Sequence, residues 1–111
     1  MEVRTRTEPG GESVLSLSGR LTMVAGNALQ TAVDAASAGG ARLVVVDLHD
    51  VEFMDSSGLG ALVGGLRSMR AVGGDLRIAR PGAQVRTVLE LTTMDRVLRP
   101  HETVEDALGA S

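Results

Sequence analysis

Apolar and polar residues alternate from Val14 to Ser18, with Leu15 and Leu17 on one face and Ser16 and Ser18 on the other. That two-residue period predicts a strand with one buried side. Glu2 to Thr7 alternates charged and β-branched residues and reads as a neighbouring edge strand. Pro9-Gly10-Gly11 lies between the two and marks a turn, so a hairpin is expected. Ala25, Leu29, Ala32, Val33 and Ala36 then recur at helical spacing, and Gly39-Gly40 stops that helix. Leu43-Val44-Val45-Val46-Asp47-Leu48 is a short apolar run. It predicts a central strand covered on both faces, the pattern of a parallel or mixed sheet flanked by helices.

The next stripe, Leu59, Leu62, Val63, Leu66 and Met69, is helical, and Gly73-Gly74 closes it. Leu76 and Ile78 alternate with Asp75 and Arg77 in a further strand. Pro81 stands near the start of a helix with Val85, Val88 and Leu89 on one side. Arg96 to Arg99 reads as a last short strand. Thr103 is placed to cap a final helix that buries Val104, Ala107 and Leu108, with Glu105 and Asp106 in its favourable first turn. The predicted order is β-β-α-β-α-β-α-β-α. It describes an α/β fold with a mixed sheet of four to five strands and about four helices packed against it.

A length of 111 residues suits one domain with one core, and 43% apolar content suits an ordered one. No repeat or linker divides the chain, so a single domain over 1–111 is expected. Phe53 is the only aromatic residue and the net charge is −3, which argues against stacking on or tracking a nucleic acid. There is no cysteine, hence no disulfide or thiolate metal site. The first residues lack the apolar core of a signal peptide, and no stretch is long enough to span a bilayer. A soluble cytoplasmic protein with no membrane partner is expected.

The chemistry concentrates in Asp55-Ser56-Ser57-Gly58-Leu59-Gly60, between the central strand and a helix. A helix start presents unpaired N–H groups and favours negative charge. One reading is a plain helix cap, worth about 1 kcal/mol. The other is a serine that gains and loses a phosphate. Neither serine sits in a Gly-x-Ser-x-Gly elbow, and the only histidines are His49 and His101. The glycines from Gly58 to Gly64 miss the dinucleotide fingerprint at Val63, and the chain has no lysine for a P-loop. They read as small residues that let a helix pack closely on a sheet. Asp47, Asp50, Glu52 and Asp55 cluster in sequence and read as a solvated acidic loop rather than a cation site.

The segment from Val44 through Phe53-Met54-Asp55-Ser56-Ser57-Gly58-Leu59-Gly60 resembles the STAS family, and within it the bacterial anti-sigma factor antagonists. The resemblance continues through Gly73-Gly74-Asp75-Leu76-Arg77-Ile78 and the apolar spacing from Val85 to Leu98. Gly19 and Leu21 match the end of the early strand. It implies a protein switch and not a catalyst. The unphosphorylated protein would bind an anti-sigma factor that is also an ATP-dependent serine kinase, and so free a sigma factor. Phosphorylation of Ser56 would break the complex, and a serine phosphatase would reset it. ATP and its divalent ion belong to the kinase, so no cofactor or metal is expected here.

The same resemblance places Thr22, Met23, Met54, Asp55, Ser56, Ser57, Gly58 and Leu59 at the partner contact. Met54 and Leu59 are left open between core and contact. One loop departs from the family: after the early strand's glycine an acidic, an apolar and an Asp residue are usual, with a Thr further on. Here those positions hold Arg20, Leu21, Thr22 and Ala25. Two other classes remain open. A STAS module that reads a nucleotide or lipid without phospho-switching would bind nucleotide tightly on its own. A hydrolase would lose turnover on Ser56→Ala.

Overall fold

The computed structural model describes residues 1–110. The chain runs β1 (Glu2–Thr7), β2 (Ser13–Leu21), α1 (Met23–Ala38), β3 (Leu43–Met54), α2 (Ser56–Ala71), β4 (Asp75–Ala79), α3 (Ala83–Leu91), a 3-10 turn (Met94–Arg96), β5 (Pro100–His101) and α4 (Val104–Gly109). Five strands form one sheet in the order β1-β2-β3-β4-β5. The β1–β2 hairpin is antiparallel and the remaining pairs are parallel. Parallel neighbours need helical crossovers, which is why α1, α2 and α3 separate the strands.

The main core lies between one sheet face and these three helices. Leu15 and Leu17 of β2 and Val44, Val46 and Leu48 of β3 meet Leu29 and Val33 of α1, Leu62 and Leu66 of α2, and Val85 and Leu89 of α3. A smaller cluster covers the opposite face, where Val14, Val45 and Ala79 pack on Val104 and Ala107 of α4. The apolar run of β3, interrupted only by Asp47, follows from this: it is the strand buried on both sides.

The expected strand at Arg96–Arg99 is corrected by the structure. Thr93 takes a left-handed backbone at φ 57°, Met94–Arg96 coil into a 3-10 turn, and Leu98 turns into the core. Extended structure resumes only at Pro100–His101, paired with Ile78 and Ala79. β3 also runs on to Met54, six residues past the apolar run. Its register against β2 shifts twice, between Ser16 and Ser18 and between Gly19 and Arg20, so β3 spends extra residues reaching the same endpoint.

Asp47 is a buried carboxylate on the α4 side of β3. Arg80 grips it with a fork, Nε to Oδ1 at 3.0 Å and Nη2 to Oδ2 at 2.6 Å, and the His49 N–H adds a bond at 3.2 Å. Burial pushes this carboxyl up, but the Arg80 fork and the His49 N–H outweigh it and hold it below the ordinary range. A depressed folded-state value means that the pair's stabilisation is present above the ordinary aspartate range and is lost as pH falls through it. Arg80→Ala leaves the carboxylate buried without its partner. With the Arg80 side chain 41% exposed, water replaces part of the loss, so the expected cost at neutral pH is about 1–3 kcal/mol. Without Arg80 burial dominates, so the Asp47 carboxyl titrates higher. The cost should therefore shrink as pH drops toward about 3.9 and below, which urea titrations of both proteins across pH will show.

Candidate functional site

β2 and β3 are parallel and end in register, Leu21 opposite Met54. Each leads straight into a helix, Thr22 standing at the start of α1 and Asp55 at the start of α2. The two helix N-termini therefore emerge side by side at one edge of the sheet. The Asp55 N–H donates to the Leu21 carbonyl at 3.4 Å and ties the two strand ends together.

Three further contacts fix this joint. The Asp55 carboxylate accepts from the Gly58 N–H at 2.9 Å, which caps α2. A Cβ on Gly58 would stand 2.0 Å from the Leu21 carbonyl oxygen, so no side chain fits there. From α3, the Gln84 amide holds both polar groups of the Met54 main chain, donating to its carbonyl at 2.9 Å and accepting from its N–H at 2.8 Å. Farther along, a Cβ on Gly26 would lie 3.3 Å from that of Ala61, which brings α1 close against α2.

Ser56 is the first residue of α2, and both Ser56 and Ser57 are exposed. The first four N–H groups of a helix have no partner within it. Asp55 takes that of Gly58 through its carboxylate and that of Leu59 through its carbonyl, at 3.0 Å. The N–H groups of Ser56 and Ser57 stay at the open end, where the helix favours added negative charge. Beside them α1 begins with two exposed apolar residues, Met23 at 74% and Val24 at 84% exposure. At the same sheet edge the Arg20 guanidinium lies over the Phe53 ring, 4.4 Å from its centre.

Of the residues that the resemblance puts at the contact, the structure brings Thr22, Met23, Asp55, Ser56 and Ser57 to this surface. The other three lie beneath it, and of the alternatives left open for Met54 and Leu59 the core is the one observed. Met54 is fully buried and Leu59 is 6% exposed, so their side chains have almost no outer surface to offer, and Gly58 is buried against Leu21. They position the loop. Gln84, Val24 and the Arg20–Phe53 stack escaped sequence reasoning. Gln84 belongs to a helix 30 residues away, and nothing local to it signals the pairing.

The remaining candidates separate in space. Asp47 faces Arg80, Asp50 meets the His49 ring at 2.9 Å, and Asp55 caps α2. Among the described residues no three His, Asp or Glu side chains gather as a metal site. His49 is engaged with Asp50, and His101 lies on β5; neither hydrogen-bonds to Ser56 or Ser57 among the described residues. Of the glycines in α2, Gly58 and Gly65 serve close packing, Gly65 against Leu76 and Val33, while Gly60 has open space around it.

A family model described as the STAS domain matches residues 2–107. A curated relative from Thermotoga neapolitana, provisionally named an anti-sigma factor antagonist, is 36% identical over 69 residues, 62% of this chain. The match spans 61% of that relative's length. The crystal structure of an anti-sigma factor antagonist from Mycobacterium paratuberculosis superposes with a TM-score of 0.81 at 33% identity, over 98% of this chain and 93% of that one. The anti-sigma factor antagonist SpoIIAA has the same fold in two forms. The unphosphorylated form gives a TM-score of 0.81 at 24% identity over 96% of this chain and 93% of its own. The phosphorylated Bacillus form gives 0.73 at 23% identity over 96% of each chain.

The joint makes two substitutions informative. Gly58→Ala drives a methyl into the Leu21 carbonyl and should cost about 3 kcal/mol or more, because main chain must move. Gln84→Ala leaves the buried Met54 N–H and carbonyl unpaired and should cost about 1–3 kcal/mol. Urea denaturation gives both values. A Gly58→Ala protein as stable as the parent would contradict the packing described.

Proposed function

This chain belongs to the STAS domain family, and on that footing we propose that it acts as an anti-sigma factor antagonist switched at Ser56. In its unphosphorylated form it binds an anti-sigma factor that is also an ATP-dependent serine kinase, and a sigma factor is freed. The kinase phosphorylates Ser56, the complex separates, and a serine phosphatase restores the binding form. The protein is substrate and binder and performs no catalysis of its own.

One observation carries this reading. The exposed Ser56 opens α2 immediately beside the exposed apolar start of α1, on a joint held by Leu21, Gly58 and Gln84. A phosphate on Ser56 adds roughly −1.5 to −2 charges. At the start of α2 that charge is favoured by about 0.3–1 kcal/mol, and Asp55 next door offsets part of the gain. Folding is therefore left nearly unchanged. That SpoIIAA has this fold in both of its forms supports the same view.

The effect falls on the partner instead. A like charge about 6 Å away costs on the order of 3 kcal/mol per unit charge at an effective dielectric of about 20. Tenfold in affinity is about 1.4 kcal/mol, so one such contact weakens binding by roughly a hundredfold. Met23, Val24 and Thr22 supply the neighbouring contact, and Ser56 and Ser57 its centre. Arg20, stacked on Phe53, stands where the family usually has an acidic residue. It adapts this surface to a partner with a different charge pattern.

Paired pull-downs from the native lysate, with Ser56→Ala and Ser56→Asp as baits, test the switch. An anti-sigma factor with a serine kinase domain should be retained by the Ala form and lost by the Asp form. Incubated with that kinase and ATP, the parent protein should take up one phosphate at Ser56 and the Ala variant none. Equal recovery on both baits, or phosphate elsewhere, would contradict the assignment.

A further inference from the structure

At the far end of α2 the surface has a different character. Arg70, in its last turn, stands about 21 Å along the helix from Ser56. Together with Arg77 of β4, Arg96 of the 3-10 turn, Arg99 and His101 it lines a cleft of about 480 Å³. Among the described residues the only carboxylate lining it is Asp75. Four arginines against one carboxylate leave a surplus of three positive charges, in a chain whose net charge is −3.

These side chains are set at the wall in two different ways. Asp75 lies between Arg70 and Arg77, its oxygens 3.6 and 3.7 Å from their Nε atoms. Arg77 is further anchored by donating from Nη1 to the Ala107 carbonyl at 2.8 Å. Arg96 and Arg99 are exposed and have no ion-pair partner among the described residues. Arg77 is held in place, Arg70 is loosely paired and largely exposed, and Arg96 and Arg99 are unpaired, which leaves the cleft the charge for one compact anion with several negative charges. Guanidinium forks match phosphate oxygens by paired N–H bonds.

We propose that this cleft binds the phosphoanhydride chain of inorganic polyphosphate. Its volume falls within the range of small-ligand sites. Among the described residues no Phe, Tyr or Trp lines it and His101 is its single ring, so phosphate oxygens, matched by four guanidinium groups, carry the recognition. An acidic peptide adding as a strand is disfavoured. β5 is two residues long, and Pro100 offers no N–H to a further strand.

Calorimetry and amide NMR titrations with inorganic triphosphate, ADP, adenosine and a tetraglutamate peptide test this on the intact chain. Triphosphate should bind saturably, more weakly as salt rises, and shift amides around Arg77 and from Arg96 to His101. ADP, with two phosphates, should bind clearly more weakly than triphosphate, and adenosine should not bind. The Arg96→Gln/Arg99→Gln double variant alters only exposed side chains, so it should fold normally and lose affinity for triphosphate by at least about tenfold. Absence of saturable triphosphate binding at millimolar concentration would overturn the proposal. So would unchanged affinity in the double variant, equal affinity for tetraglutamate, or shifts confined to the start of α2. ADP bound as tightly as triphosphate would overturn it in favour of a nucleotide-reading module; phosphate uptake at Ser56 is a separate readout, so failure here and failure of the switch are distinguishable.

Discussion

Two parallel strands end in register, and the approach of Gly58 to the Leu21 carbonyl makes their helices start side by side. Everything at the candidate surface follows from that contact. A larger residue at position 58 would force the start of α2 away from β2. The Asp55 cap and the Gln84 clamp on Met54 then hold the loop from two other directions. The surface serines therefore ride on buried main-chain contacts, and the contacts they make outward are free to change without unlocking the core.

On the proposed reading, this arrangement separates stability from signalling. The core that holds the joint is aliphatic and lies beneath it, with Met54, Leu59 and Leu62 buried. The charge that would regulate it is added on the outside, at a helix end already suited to an anion. A few tenths of a kcal/mol in folding and several kcal/mol at an interface can then arise from one phosphate, because the first is set by a solvated helix terminus and the second by like charges across a contact.

Much of the fold was legible because the sheet's burial writes itself into the sequence. β2, flanked by a polar hairpin partner, alternates, and β3, covered on both faces, does not. The last strand was misplaced because Leu98 looks the same in a strand as in a turn that points it inward. The site was legible as a string of residues, but which of them reach solvent was not. Met54 and Leu59 look as available as Ser56 until the strand end and the helix phase are known. Gln84 was invisible because its two bonds join elements 30 residues apart. The arginine cleft was likewise hidden, since Arg70, Arg77, Arg96 and Arg99 meet only when α2, β4 and the β5 approach are assembled.

The central claim is that phosphate on Ser56 changes a surface and leaves the fold as it is. Amide NMR spectra of the protein before and after stoichiometric phosphorylation test it most directly. The account predicts shifts confined to the ends of β2 and β3 and the first turns of α1 and α2, with the β4, β5 and α4 amides unmoved. Shifts spread through the sheet, or collapse of the dispersed spectrum, would contradict it.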